Sequence, residues 1–175
     1  MTVPQPDEYQ ALRATIRERG TARVCVFAGG IAGWAAATIA TAALASTPVA
    51  ALLPLLVLAS VFEAVFALHV GVERIGRYIQ VFHETDRPGG WEHAAMAFGR
   101  PAGAVATDPL FTGPFLLAAL FNVAPALMLD PARVELVFVG GAHAFFVLRL
   151  VVARHAASRQ RAVDLDRFQQ LKRGA

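Results

Sequence analysis

Three polar side chains stand inside otherwise apolar stretches of this chain: Glu63, Asn122 and His143. A carboxylate, an amide and an imidazole are the groups that hold or pass on a proton or a small cation. Inside a membrane span they are costly and default to functional candidates. At a rise of about 1.5 Å per residue, Glu63 lies roughly 15 Å from a helix exit at Glu73, and His143 roughly 15 Å from an exit at Ala153. Asn122 lies roughly 18 Å along from Leu110. The expectation is one polar layer near the midplane, with Glu63 paired to His143 and Asn122 as a further donor and acceptor. Such a layer either handles protons or ions, or is a hydrogen-bonded cluster that fixes helix register.

A second constellation follows Glu63. At about 100° per residue, Glu73, Arg74, Arg77, Gln80 and Glu84 share with it an arc of roughly 120°. Arg149 is expected to leave the membrane nearby. This charged mouth suits an anionic headgroup or metabolite, or it is a saturated salt-bridge network between helix extensions. In an enzyme acting on lipid, Glu73, Arg74 and Arg77 would be the working groups.

Metal chemistry has little purchase. His69 and Glu73 sit at i,i+4 and His83 follows, so these three are the metal candidates, yet neither Glu-x-x-His nor His-Glu-x-x-His occurs. For haem, His69 and His143 differ in depth by roughly 9 Å. No metal, haem or other cofactor is expected. No Ser or Cys has a nearby His with a third orienting group, so nucleophilic catalysis is not expected either. The single cysteine, Cys25, forms no bridge within the chain and reads as a packed, inert thiol.

The elements that must position these residues are membrane helices. Residues 24–62 contain no charged side chain and are interrupted only by Ser46, Thr47 and Pro48. A hydrocarbon core about 30 Å thick takes roughly 20 helical residues to cross, so this run makes two spans joined by a tight turn. Hydrophobic residues make up 56% and charged residues 17% of the chain, more apolar than soluble domains at about 45–50% and 25%. The fold class is therefore all-α. A single polytopic membrane domain, 1–175, is expected to hold four transmembrane helices in two hairpins: 24–45, 49–71, 109–129 and 134–153. Asp130 and Pro131 punctuate the second hairpin.

Orientation follows the arginines, which number fifteen against one lysine. They crowd residues 1–23, the 72–108 segment and the 154–175 tail, while the two short turns hold only Arg133. Basic loops stay cytoplasmic, so both termini and the middle segment are expected inside a bacterial-type inner (plasma) membrane. Asp7, Glu8 and Glu18 among the N-terminal arginines, and an apolar run about twice the usual 7–15 residues, argue against a signal peptide. Residues 9–19 have the spacing of an amphipathic helix lying on the membrane surface. The tail continues the fourth helix, and 72–108 comprises an extension of the second helix and an interfacial or re-entrant piece at 91–107.

Membrane helices associate through close backbone approach. Gly29, Gly33 and Ala37 recur at every fourth position, and Gly140 with Gly141 gives the fourth helix a similar point. These mark helix packing, against a neighbour in the chain or against a second copy. The partners expected are the bilayer, its anionic headgroups, and either copies of the chain or a membrane complex. Nucleic acid is not among them, because the basic residues flank apolar runs and form no separate module. Two functional classes remain: a small oligomeric transporter or channel-like protein, and a non-catalytic accessory or scaffold subunit. A lipid-acting membrane enzyme is the third.

Overall fold

A computed structural model describes residues 6–84, 90–98 and 109–174, and every regular element in them is helical. In chain order these are α1 (Pro6–Leu44), a 3-10 turn (Pro48–Ala51), α2 (Leu52–Phe82), α3 (Trp91–Phe98), α4 (Pro109–Leu127) and α5 (Arg133–Gly174). Three of them are long and apolar enough to cross a membrane: α1, α2 with its preceding turn, and α5. The apolar stretch of α4, Thr112–Leu127, is shorter.

Local chemistry sets the ends. Pro48 opens the 3-10 turn, and Pro54 sits in the first turn of α2, where a missing N–H costs no intrahelical bond. After α4, Asp130 takes a φ of 50°, a left-handed conformation that a short polar side chain tolerates. Pro131 then cannot continue the helix. The Glu135 carboxylate accepts the Ala132 N–H at 2.9 Å, half of a capping box that starts α5. From there α5 runs unbroken to Gly174.

Two expectations change. Residues 9–19 are not a separate surface helix but the first turns of α1, which passes through Gly20 without a break. One glycine costs about 1 kcal/mol in a helix, too little to end it among good helix formers. Cys25, expected to be packed, is exposed on α1. Of the 91–107 piece, 91–98 form α3; residues 99–108 lie outside the described residues, as does the breaker cluster at 85–89.

The chain divides into two compact units. The apolar unit holds α1 from Arg23, the 3-10 turn, α2 through Phe66, α4, and α5 through Ala153. The charged unit holds α1 through Ala22, α2 from Ala67, α3, and α5 from Arg154.

In the apolar unit, Leu55, Leu58, Phe62 and Val65 recur at spacings of three and four, so one face of α2 is buried. Phe62 is its hub, meeting Phe115 edge-on at 5.3 Å between centroids and Phe146 at 6.1 Å. Phe27 of α1 meets Phe115 in the same way at 5.8 Å. The close backbone approach of α1 to α2 falls at Gly30, where an added Cβ would overlap the Val61 γ-carbons. At Gly29, Gly33, Gly140 and Gly141 an added Cβ would meet open space, and Ala37 is half-buried. Within the chain, the contact of α1 with α2 thus falls one residue away from the expected stripe. The reason is that Phe27, Ile31 and Trp34 pack on the core and turn Gly30, which lies among them, toward α2.

Candidate functional site

Among its described residues the apolar unit contains one buried polar hub, centred on Asn122 of α4, which is fully buried. Its Nδ2 donates to the Ala51 carbonyl at 2.8 Å and to His143 Nε2 at 3.0 Å. Its Oδ1 accepts from Trp34 Nε1 at 3.1 Å. The indole N–H can only donate and the carbonyl can only accept, so these two partners fix the amide orientation. His143 is likewise fixed. Its Nδ1 lies 2.8 Å from the Val139 carbonyl and must carry the proton, which leaves Nε2 as the acceptor for Asn122. The Thr38 hydroxyl has one proton for two acceptors, the Trp34 carbonyl at 2.9 Å and Asn122 Oδ1 at 3.4 Å, and the shorter bond takes it. Four helical pieces are thereby tied to one amide, and each polar atom of Asn122 and His143 is used.

Glu63 does not belong to this hub. Its carboxylate pairs with Arg149 Nη2 at 2.7 Å instead of with His143. The Arg149 guanidinium lies over Phe66 at 5.3 Å and over Phe62 at 5.8 Å, both rings within reach of a cation–π contact. The expected single layer of Glu63, Asn122 and His143 is therefore two separate features, an exposed ion pair and a closed hydrogen-bond cluster.

The charged residues after Glu63 also separate. In the charged unit, Glu73 of α2 takes a fork from Arg161 of α5, Nη2 at 2.6 Å and Nε at 2.8 Å, with His69 Nε2 at 3.5 Å. Arg74 Nε reaches Asp164 at 3.2 Å, and Gln160 Nε2 donates to the other Asp164 oxygen at 2.8 Å. Arg77 is buried, with Nη1 3.5 Å from Gln80 Oε1. Glu84, also buried, caps α3: it accepts the backbone N–H groups of Glu92 and His93 and lies 3.2 Å from His93 Nδ1. Arg13 of α1 holds Glu92 at 2.7 Å. The five residues of the expected mouth thus separate: Glu73 and Arg74 pair α2 with α5, Arg77 is buried beside Gln80 on α2, Glu84 caps α3, and Arg149 holds Glu63. Among the described residues no three His, Cys, Asp or Glu side chains converge as a metal would need. Of the metal candidates, His69 and Glu73 are neighbours, while His83 lies 3.7 Å from Glu8.

No protein-family model, characterised protein or solved structure matches this chain.

Sequence reasoning passed over Trp34, Thr38, Arg161 and Asp164, which complete these clusters. A signal existed for each. Trp34 and Thr38 are an i,i+4 pair that brings a donor-only ring into an uncharged span. Arg161 and Asp164 are an i,i+3 pair in a tail read only as a basic collar.

Also missed was the contact of Tyr78 with Glu8, where the phenol donates at 2.8 Å. That hydrogen bond, then burial, then the Glu8 charge raise the Tyr78 pKa above its ordinary value of 10.0. A raised pKa means the folded state holds the phenolic proton more tightly than the unfolded chain does. The stabilisation is complete below about pH 10 and is lost as pH climbs through the folded value. Absorbance titration at 295 nm is expected to show one phenol ionising late, and Tyr78→Phe is expected to remove that step. Retention of the late step in Tyr78→Phe would refute the assignment.

Proposed function

We propose that this protein is a non-catalytic scaffold or accessory subunit of a bacterial-type inner-membrane complex. In this reading the chain crosses four times in two hairpins, at 24–45, 49–71, 109–129 and 134–153. The termini and residues 72–108 face the cytoplasm, and the arginines flanking the spans sit among anionic headgroups.

The observation that carries the reading is the closed hub. An ion or proton path needs polar atoms that can exchange partners with a passing species. Asn122 is fully buried, His143 nearly so, and their polar atoms are bonded to one another and to fixed backbone. That arrangement fixes helix register in a medium that cannot hydrogen-bond. The charged unit follows the same logic, since Glu73, Asp164, Glu84 and Glu92 are each engaged by Arg or backbone donors of a second segment. What such a protein offers is a rigid set of helices held at the membrane, which is what a partner subunit needs. Transport through Asn122 and His143, and lipid chemistry at Glu73 and Arg74, both require groups that this pairing has already engaged.

Extraction of native membranes into lipid-bearing polymer discs, followed by affinity capture of the tagged full-length chain, tests the reading. A second protein at fixed stoichiometry is expected. Recovery of nothing beyond copies of this chain, together with substrate flux in proteoliposomes that Asn122→Ala or His143→Ala abolishes, would overturn it in favour of transport.

A further inference from the structure

We infer that the α2 face bearing Glu63 is the interface between two copies of this chain. The inference rests on the membrane reading above and adds a surface and a partner to it.

Opposite its buried face, α2 exposes Leu53, Leu56, Ser60 and Glu63, at spacings of three, four and three. That is the seam periodicity of two helices packed at a shallow left-handed crossing. Leucines there would suit lipid equally well. Glu63 and Arg149 would not. The Glu63 carboxylate is 48% exposed and the Arg149 side chain 33% exposed, on two helices apolar enough to span a bilayer. Counted along the helices, Glu63 lies roughly 17 Å from the start of α2 and Arg149 roughly 24 Å from the start of α5, both short of a 30 Å crossing.

The pair is also incomplete. Among the described residues, Arg149 uses one guanidinium N–H, to Glu63, and the second Glu63 oxygen accepts nothing. The guanidinium also lies over Phe62 and Phe66, a cation–π contact that favours its staying beside Glu63. Hydrocarbon supplies no partner for the remaining donors and acceptor.

A second copy supplies both. Each chain presents one anion beside one cation, so the patch is complementary to itself. Two copies related by a two-fold axis along the membrane normal place four charges of alternating sign in a ring, Arg149 of each reaching Glu63 of the other. Such an isologous contact is how most homodimers close. Ser60, one turn before Glu63, is small, and its hydroxyl is already bonded to the Leu56 carbonyl at 2.9 Å, so it permits close approach without leaving a free donor. An anionic lipid phosphate fits less well, because Glu63 would repel it.

The test is disulfide trapping in native membranes, on full-length protein with the exposed Cys25 replaced (Cys25→Ala). Ser60→Cys is expected to cross-link into a dimer on mild oxidation, while Ile39→Cys, on an exposed position of α1, is not. Arg149→Gln leaves two carboxylates facing each other and is expected to lower the Ser60→Cys cross-linked fraction about tenfold. Glu63→Gln with Arg149→Gln removes all four charges and is expected to restore more than half of it, which separates charge pairing from misfolding. A Ser60→Cys protein that stays monomeric, or that cross-links no better than Ile39→Cys, overturns the interface. So does an Arg149→Gln protein that cross-links like its parent. Carbonate extraction of the same membranes separates the two layers of argument. Release of the chain would sink the membrane reading and the interface together, while retention without a cross-link sinks the interface alone.

Discussion

Asn122→Ala is expected to destabilise the protein by about 3 kcal/mol. Three hydrogen bonds at the roughly 0.6 kcal/mol average for intramembrane pairs account for about 2. Leaving the Trp34 N–H without its partner adds about 1 more. The Ala51 carbonyl ends the 3-10 turn that leads into α2, so its bond from Asn122 ties α4 to the start of that helix. Asn122→Asp is expected to be worse. A carboxylate offers acceptors where Ala51 O and His143 Nε2 both require a donor. Thr38→Val, by contrast, removes only a bond from the hydroxyl to its own helix and is expected to cost under about 0.5 kcal/mol. Unfolding in mixed micelles by SDS titration, followed by circular dichroism, gives all three values. An Asn122→Ala protein within about 0.5 kcal/mol of its parent would show that the hub carries no stability.

The sequence pattern reaches the helices but not their faces. Residues 24–62 could only be apolar helices with a break near Pro48, and α1, the 3-10 turn and α2 follow. The step from helix to site failed for a physical reason. Depth along a helix counts from its exit, yet neither α2 nor α5 ends at Glu73 or Ala153: one runs to Phe82 and the other to Gly174. Without a terminus, nothing in the sequence fixes the zero of the scale. His143 and Arg149 lie six residues apart on α5, roughly 9 Å along the axis. A shift of that size separates the expected partner of Glu63 from the observed one. Asn122 and His143 meet because each is a lone buried polar group on an apolar helix face, where nothing else can satisfy it. The charged residues followed a different rule. Near-balanced charge along α2 signalled internal pairing, but the partners Arg161 and Asp164 lie some ninety residues away, beyond the reach of i,i+4 reasoning.

Gly30→Leu is expected to cost at least about 3 kcal/mol, at the upper end of what overpacking does. The same change at Gly29 or Gly33 is expected to be neutral or to favour folding by up to about 1 kcal/mol. All three glycines lie on one helix within four residues, so propensity, composition and depth are nearly constant among them, and only the direction each Cα faces differs. At Gly29 and Gly33 a side chain points into open space. At Gly30 it points at Val61, whose β-branched side chain has few rotamers with which to retreat. Replacing glycine in a helix otherwise favours folding by up to about 1 kcal/mol, so Gly30→Ala has a gain to offset before its clash is seen. Its net loss is expected to be the smaller, about 1 kcal/mol, while leucine separates α1 from α2 and strains the Trp34 bond to Asn122 as well. Equal effects at Gly29 and Gly30 in the SDS titration would mean that α1 meets α2 through the every-fourth-residue stripe after all.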